Sequence, residues 1–390
     1  MILAATSSEV ARIFLELGAV ILGLAVLARV SDRLEVSPIP LYLIAGLAFG
    51  QGGIVELDVS EDFVELAAEI GVILLLFTLG LEYSAEELRT SLRRGAPVGG
   101  VDIVLNATPG ALAGWLLGFG AKETLLLAGI TYISSSGIVS KVLRDFEWLG
   151  NRETPSVLTT LVLEDLVMAL YLPIASAILL GDGAAKAVLA IAVALTILVL
   201  VLFGALRYGE ILSRLVSARS DEALLLGVVG LTLLVAGLAQ EVNISAAVGA
   251  FLVGIALSGP VQQRTTVLVN PLRDLFAALF FLFFGLRIDP SDVVGALLPA
   301  AMLAGVTGAT KVATGAWAAG RDGVGTRGRL RAGTALVARG EFSIVIAGLG
   351  ASAGVDSDLG PLAAAYVLML AAAGPLAARY ADRRPRIVPQ

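Results

Sequence analysis

The chain has 390 residues, of which 57% are hydrophobic and 15% are charged, and its mean hydropathy is +0.90. Soluble proteins of this length carry about a quarter charged residues, so the composition excludes an ordinary soluble protein, and no nucleic-acid partner is expected. The net charge of −6 excludes little, because in a membrane protein the division of charge between loops matters more than its sum. Cysteine and histidine are both absent, which excludes disulfides, Cys/His transition-metal sites and imidazole proton relays. Any proton that this protein moves must therefore be carried by a carboxylate or a lysine.

Apolar runs long enough to span a bilayer, about 20 residues each, recur from end to end, and the sequence predicts thirteen of them. The first seven lie near 10–29, 38–50, 63–81, 97–118, 122–144, 153–180 and 184–206. The other six lie near 221–240, 242–259, 270–287, 292–319, 328–350 and 359–380. Met1–Ala5 includes no basic residue, so the first run is interpreted as a retained span rather than a signal peptide. The longest polar stretches are connectors such as Arg321–Arg331, so no separate soluble domain is expected.

The distribution of basic residues predicts the orientation of these spans, because Lys and Arg concentrate in cytoplasmic loops. With the N-terminus outside and the C-terminus inside, 21 basic residues fall in the predicted inner connections and 4 in the outer ones. The sequence therefore predicts an all-α, polytopic membrane protein with thirteen transmembrane helices, oriented N-out and C-in. The four basic residues on the outer side are Arg12, Lys122, Lys186 and Arg287.

An odd number of spans divides the chain into two six-span halves of opposite orientation. The halves are residues 1–183 and 207–390, and the span 184–206 links them. Secondary transporters often consist of such inverted repeats, with an ion site at the midplane where two broken helices meet. Sequence identity between the halves is not evident, so this repeat is predicted from topology alone.

Two spans carry polar interruptions at equivalent positions, the fifth of each half. Unwound backbone at membrane depth is tolerated only where it lines a cavity or packs inside the protein. We therefore predict two crossed, broken helices, whose hydroxyls and freed carbonyls can replace part of an ion's water shell. The interruptions are Ser134, Ser135, Ser136 and Gly137, beside Thr131, in span 122–144, and Arg339, Gly340, Glu341 and Ser343 in span 328–350.

Glu164 and Asp165 are adjacent in the middle of the apolar sixth span, 153–180. A charged side chain near the bilayer centre costs roughly 2.5–3.5 kcal/mol on insertion scales, so the pair indicates an ion or proton pathway. Lys311 lies within the eleventh span and needs an anion, for which either acid is a candidate. Neighbouring helix residues point about 100° apart, so one carboxylate can meet Lys311 while the other faces the ion route.

Structural explanations of the same residues remain open. The acids Glu164 and Asp165 can belong to a structural ion pair with a cation inside the membrane and have no role in transport. Lys311 can serve only to neutralise Glu164. The serine run can be a helix-packing seam of small residues. Arg339 and Glu341 can neutralise the ends of the broken helices.

Four motifs in a fixed order carry a family resemblance: EIGVILLLFTLGLE (Glu69–Glu82), the serine-rich break, the acidic pair and the RGEFS break. In this order the chain resembles monovalent cation/proton antiporters of the CPA2 group, over essentially its whole length. It is most similar to Kef-type potassium/proton antiporters, and closer still to Kht-type members, in which GNRETP (Gly150–Pro155) precedes LEDLVMALYLP (Leu163–Pro173).

The resemblance implies a transporter rather than an enzyme, which exchanges a monovalent cation, K⁺ before Na⁺, for protons by alternating access. Asp165 matches the carboxylate that binds the cation and the proton in turn. Lys311 matches the lysine of the opposing helix, and Arg339 and Glu341 match the polar pair of the second broken helix. Glu164 stands where Kef-type proteins have Gln, which leaves open whether exchange is electroneutral, because an extra ionisable group can carry a second proton.

The predicted ion site follows from these matches and from the first break. It binds K⁺ or Na⁺ at Asp165, with no other cofactor. Its oxygen-bearing side chains are Asp165, Glu164, Thr131, Ser134, Ser135 and Ser136.

The resemblance also implies a homodimer in the lipid bilayer of a prokaryotic cell membrane. Kef-type proteins continue into a cytoplasmic regulatory domain, whereas this sequence stops at Gln390, shortly after its last span. We therefore expect a separate cytoplasmic regulatory subunit of the nucleotide-binding, TrkA/RCK-like type, unless such a domain was removed.

Other functions remain as alternatives. The nearest is a Na⁺/H⁺ antiporter, because nothing in the sequence fixes ion size. A partner-gated cation channel is a different class, and the chain contains no filter-like motif such as TVGYG. An intramembrane aspartyl protease needs two aspartates from separate helices, and Asp165 is the only deep aspartate that we expect.

Overall fold

The fold is all α-helical in the part of the chain that the computed structural model describes. The described residues are 7–34, 37–50, 52–54, 61–81, 85–180, 216–241, 246–257, 259–355 and 358–381, together with the single residues 192 and 196. Within these ranges there are fourteen helices. They are α1 (Ser7–Leu34), α2 (Ile39–Phe49), α3 (Glu61–Leu81), α4 (Ala85–Leu116), α5 (Ala121–Tyr132), α6 (Ser136–Asp145), α7 (Thr154–Leu180), α8 (Asp221–Glu241), α9 (Ala246–Ala256), α10 (Gly259–Leu286), α11 (Pro290–Arg321), α12 (Thr326–Ala335), α13 (Glu341–Ser352) and α14 (Leu359–Ala381).

Twelve of the thirteen predicted hydrophobic segments coincide with a helix or with a pair of helices. The two segments with polar interruptions are the two pairs, α5 with α6 and α12 with α13, so both predicted breaks are confirmed. The remaining segment, 184–206, lies outside the described residues. By length and hydropathy, seven of the described stretches can cross a membrane: the broken span Ala121–Leu143 and most or all of α1, α7, α8, α10, α11 and α14.

Two helices begin well before the predicted spans. α4 starts at Ala85 instead of near 97, and α10 starts at Gly259 instead of near 270, so Arg264 and Arg273 lie on a helix rather than in a connection. Hydropathy marks only the apolar part of a helix, and residues such as Glu, Leu and Arg continue a helix well beyond it. The predicted inside and outside connections therefore include helical residues, and the N-out, C-in orientation stays a prediction.

The helices α2, α3, α9 and α10 pack together through glycines. A β-carbon added to Gly46 of α2 would lie 2.7 Å from the Cα of Gly285 on α10. One added to Gly254 of α9 would lie 2.8 Å from the Cα of Gly80 on α3. At both places the two backbones touch, and only glycine permits this approach. We call these two contacts the glycine crossings.

The glycine crossings occupy equivalent positions in the two predicted halves. α2 and α9 are the second spans of their halves, and α3 and α10 are the third. A further equivalent pair involves Gly110 of α4, which faces Leu127 of α5, and Gly315 of α11, whose added β-carbon would lie 2.7 Å from the Cα of Gly333 on α12. These pairings support the predicted inverted repeat. The halves 1–183 and 207–390 themselves stay a prediction.

Candidate functional site

The two broken helices meet where each of them is unwound. α5 ends at Tyr132, and Ile133 has an extended conformation with φ −81° and ψ 134°. The amide of Ser135 donates to the Ala338 carbonyl at 2.9 Å, and the Ser134 hydroxyl donates to the Leu336 carbonyl, also at 2.9 Å. The segment 133–135 thus bonds directly to the segment 336–340. We call this contact the polar crossing.

The breaks are shorter than the serine and glycine pattern suggested. Ser136 is half-buried and begins α6, and Gly137 is already helical. Glu341 begins α13, so this acid and Ser343 lie on a helix rather than in the unwound segment. Gly340 does belong to the break, because a β-carbon there would lie 2.7 Å from the Cβ of Ser135.

Arg339 is fully buried at the polar crossing and donates to three carbonyls. Its guanidinium binds the Leu336 and Val337 oxygens at 3.1 and 3.0 Å and the Thr131 oxygen at 3.0 Å. These carbonyls lie at or near the C-terminal ends of α12 and α5, where a positive charge is favourable. The contacts favour the structural explanation of Arg339, namely neutralisation of the helix ends.

The sequence suggested that carbonyls freed at the break can bind an ion, but several of them already accept hydrogen bonds. Thr131 and Leu336 use their oxygens as described above, and the Ile130 carbonyl accepts from the Ser343 hydroxyl at 2.9 Å. Ala338 accepts from Ser135. Buried carbonyls that already have a donor are weaker candidates for ion binding, which makes side-chain oxygens the better candidates.

Lys311 lies at the centre of a buried charge network. Its ammonium group binds both oxygens of Asp102, at 2.8 and 3.0 Å, and one oxygen of Glu164, at 2.8 Å. All three side chains are at most 1% exposed. Of the two acids that the sequence left open as partners of Lys311, Glu164 is bound to it. The network connects α11 to α4 and to α7.

Asp102 is the site residue that sequence reasoning missed. It lies within the predicted span 97–118, so the expectation that Asp165 is the only deep aspartate is wrong. The side-chain amide nitrogen of Asn106, one turn later on α4, donates to an Asp102 carboxylate oxygen at 2.8 Å and to the Asp102 backbone carbonyl at 3.0 Å. A carboxylate and an amide four residues apart in an apolar helix were the available signal, since such residues share one face.

Glu164 also connects α7 to the polar crossing. One of its oxygens accepts from the Ser134 amide at 2.5 Å, and the other, 3.1 Å from the Ser134 hydroxyl, shares the single proton of that hydroxyl with the Leu336 carbonyl. Asp165 is 3% exposed and follows on the same helix, about 100° further round the axis. Helix geometry therefore turns the two adjacent acids in different directions.

The other predicted site residues support the crossing from its sides. The Thr131 hydroxyl donates to the Asn106 carbonyl at 2.9 Å, which joins α5 to α4. The Ser135 hydroxyl donates to Glu341 at 2.9 Å, which joins the first break to α13. Their assignment to the ion site, together with that of Ser136, stays a prediction.

The buried charges at the polar crossing do not balance. Among the described residues of the crossing and its charge network, the buried carboxylates are Asp102, Glu164 and Asp165 and the buried cations are Lys311 and Arg339, each at most 3% exposed; Glu341, which accepts from Ser135, is only partly buried and is not counted. Fully ionised, these five side chains carry a net charge of −1. One proton or one monovalent cation at this position brings them to neutrality, which a buried site strongly favours.

The chain is similar to known membrane proteins over nearly its whole length. Residues 18–379 match the sodium/hydrogen exchanger family of transmembrane proteins. The chain is 34% identical to the K(+)/H(+) antiporter subunit KhtU of Bacillus subtilis, over 96% of this chain and 94% of the relative. It is 30% identical to the ammonium/H(+) antiporter subunit AmhT of Alkalihalophilus pseudofirmus, over 86% and 85%. The Na(+)/H(+)-K(+) antiporter GerN of Bacillus cereus is 24% identical, over 88% and 89%.

The fold is similar to a solved structure as well. The sodium proton antiporter MjNhaP1 from Methanocaldococcus jannaschii superposes with a TM-score of 0.74 and 17% identity, covering 96% of this chain and 97% of that one. At this identity the similarity shows a common fold and does not assign a function.

Proposed function

We propose that the chain, which belongs to the sodium/hydrogen exchanger family, exchanges K⁺ for protons by binding the two ions in turn at Asp165. Its relatives confirm the predicted resemblance to CPA2-type cation/proton antiporters, so the chain is a multi-pass membrane transporter rather than an enzyme. The choice of K⁺ and the role of Asp165 go beyond that membership.

The single observation that carries the proposal is the net charge of −1 at the polar crossing. A site with one unbalanced negative charge, buried away from water, is stable when it holds one positive charge. A proton and a monovalent cation satisfy this need equally, but they cannot both do so at once. Competition for one position couples the two fluxes without further machinery.

Asp165 is the best candidate for the exchanging carboxylate. Asp102 and Glu164 both bind the Lys311 ammonium, which compensates part of their charge. Asp165 is equally buried and follows Glu164 on α7, but faces another direction. In this arrangement Glu164 positions α7 against Lys311 and Ser134, and Asp165 takes up the cation or the proton.

The contact between Glu164 and Ser134 offers a route from binding to conformational change. Ser134 lies in the unwound segment 133–135, which hydrogen-bonds the opposite break. A change of charge on α7 therefore acts on the backbone of the polar crossing. Alternating access requires such a link between occupancy and the position of the helices.

The preference for K⁺ rests on the name of the 34% identical relative, a K(+)/H(+) antiporter subunit. Na⁺ is the alternative, and the name of GerN, a Na(+)/H(+)-K(+) antiporter, includes both ions. KhtU and AmhT are both named as subunits, which supports the proposal of a separate partner subunit. That this subunit is cytoplasmic and of the nucleotide-binding type, and that the membrane part is a homodimer, rests on the family resemblance alone.

The test is proton movement across liposomes that contain the purified protein, followed with a pH-sensitive dye while K⁺ or Na⁺ is added. We expect K⁺ to drive proton movement in the wild type and not in Asp165→Asn, because the amide cannot exchange a proton. The matched control is Asp292→Asn, since Asp292 is exposed in the first turn of α11. This control should behave as the wild type.

Coupled exchange retained in Asp165→Asn would contradict the role of that residue. A response to Na⁺ and not to K⁺ would contradict the ion assignment alone. Ion currents that need no proton gradient and no counter-ion would indicate a channel and would overturn the antiport mechanism.

A further inference from the structure

Tyr132 has a buried hydroxyl group without a hydrogen-bond partner among the described residues. It is the last residue of α5, directly before the unwound segment 133–135, and its side chain is 2% exposed. Buried polar side-chain atoms in proteins nearly always have a partner, and each exception calls for an explanation such as a bound water or ion. Sequence reasoning alone does not single out this residue, because an aromatic ring in an apolar span is usually a packing residue.

The other hydroxyls of the first break differ from Tyr132 in this respect. Thr131 donates to the Asn106 carbonyl, Ser134 donates to the Leu336 carbonyl, and Ser135 donates to Glu341. Their protons are therefore used within the protein. The Tyr132 hydroxyl makes no hydrogen bond of ordinary geometry within the described residues, although the Asp102 carboxylate interacts with it and can take its proton; its oxygen lone pairs can serve a bound species.

Other buried tyrosines of this chain do have partners. The Tyr171 hydroxyl donates to the Leu125 carbonyl at 2.8 Å, and the Tyr366 hydroxyl lies 2.9 Å from the Thr307 hydroxyl. The fold thus supplies partners for tyrosine hydroxyls at other positions of the same helix bundle. Among these three tyrosines the missing partner is peculiar to Tyr132, although side-chain atoms of Asn151, Thr265, Asn270 and Arg339 are also buried without a partner among the described residues.

The surroundings of Tyr132 favour a cation as the bound species. The acids whose charges act most strongly on its side chain are Asp102, Glu164 and Asp165. Lys311 holds its ammonium group 5.2 Å from the centre of the Tyr132 ring, so the ring itself already stabilises one cation. Lys311 uses the ring face of Tyr132, which leaves the hydroxyl end of this side chain for a second cation.

We propose that the Tyr132 hydroxyl oxygen is a ligand of the transported monovalent cation and helps to replace its water shell beside Asp165. The inference rests on the proposed function and adds a phenolic hydroxyl to a site otherwise made of carboxylates and the hydroxyls of serine and threonine. A hydroxyl is suited to this position, because its oxygen can bind the cation while its proton is donated to a neighbouring carboxylate.

The test compares Tyr132→Phe with Tyr171→Phe in the full-length protein. Both changes remove one hydroxyl and keep the ring. In liposomes, the apparent KM for K⁺ is measured at fixed pH, with choline replacing K⁺. In detergent, thermal unfolding is measured with and without K⁺, which reports binding independently of transport.

For Tyr132→Phe we expect an apparent KM for K⁺ that is about tenfold higher, as for the loss of one bond to a charged group. The stabilisation of the protein by K⁺ should fall in parallel, while the unfolding temperature without K⁺ stays at or above that of the wild type. Tyr171→Phe should do the reverse, because it breaks the bond to Leu125: the unfolding temperature falls and the KM is unchanged.

A purely structural Tyr132 predicts a different result. Replacing an unpartnered hydroxyl by hydrogen would then keep or improve stability and leave both the KM and the stabilisation by K⁺ at their wild-type values, and this outcome would overturn the inference. Loss of transport with undiminished stabilisation by K⁺ would overturn it as well. Absence of exchange in the wild type would instead contradict the proposed function.

Discussion

Both the glycine crossings and the polar crossing bring helices into direct contact, but the contacts are of different kinds. At the first, α2 meets α10 and α9 meets α3 with backbone against backbone, through Gly46 with Gly285 and Gly254 with Gly80. At the second, the ends of α5 and α12 meet through hydrogen bonds, a buried arginine and a charge network around Lys311.

The difference shows how one membrane protein can combine a fixed part with a responsive part. Close-packed backbones depend on shape alone and contain no charged side chain that a bound ion would neutralise. Hydrogen bonds to carboxylates depend on charge, and that charge changes whenever a proton or a cation arrives. We therefore expect substitutions at the glycine crossings to alter stability alone, and substitutions at the polar crossing to alter both stability and ion binding.

The largest effect is expected for Lys311→Met. The change removes the shared counter-ion and leaves Asp102 and Glu164 buried without it, which destabilises a protein by about 3–5 kcal/mol. Chemical unfolding in detergent measures the loss. The deficit should shrink at low pH, because protonation of the two acids removes the uncompensated charge.

The matched control is an ion pair on the surface. Arg264 binds Asp221, and both side chains are well exposed, so Arg264→Gln should change stability by only about 0–1 kcal/mol. Equal stability of Lys311→Met and the wild type at neutral pH would show that the network is not the main stabilising element of the polar crossing.

A smaller effect is expected for Gly254→Ala at a glycine crossing. The added methyl group would collide with Gly80 and with the Phe77 carbonyl, and overpacking of this kind costs about 1–3 kcal/mol. Gly227→Ala on α8 is the control, since an added β-carbon there meets nothing within 4 Å. The KM for K⁺ should be the same in both variants. A change of KM in Gly254→Ala would contradict the expectation that substitutions at the glycine crossings alter stability alone.

The smallest effect on stability is expected for Ser134→Ala. The variant loses the bonds of the hydroxyl to Leu336 and Glu164 but keeps the backbone amide bond to Glu164, which corresponds to about 1 kcal/mol. Unlike the glycine variant, it should also change the KM for K⁺, which the liposome assay measures. Ser352→Ala, which removes an exposed hydroxyl bonded within α13, is the control. Identical KM values for both serine variants would argue against a role of Ser134 in ion binding.

Features that are local in the chain could be predicted from the sequence. The apolar runs gave the helices, the serines and the RGEFS motif gave the breaks, and the rarity of lysine drew attention to Lys311. The cost of burying an unpaired charge implied a carboxylate partner, and it left Glu164 and Asp165 as the two candidates. Each of these signals is contained in a few neighbouring residues.

Features that depend on contacts between distant helices could not be predicted. Asp102 is a single charge in an apolar run, and its role emerges only when α4 packs against α11. Arg339 matched a polar pair of the family, but its three carbonyl partners depend on how the breaks cross. The unpartnered hydroxyl of Tyr132 is likewise a property of the assembled crossing.

The charge network around Lys311 also constrains how the protein is made. Asp102 precedes Lys311 by 209 residues and Glu164 precedes it by 147. At about 5–20 residues per second, a ribosome needs roughly 10–40 s to reach Lys311 after it has synthesised Asp102. During that interval α4 and α7 are in or near the bilayer without their counter-ion, so their stable insertion waits for the arrival of α11. Biogenesis of the first half is in this sense completed by the second.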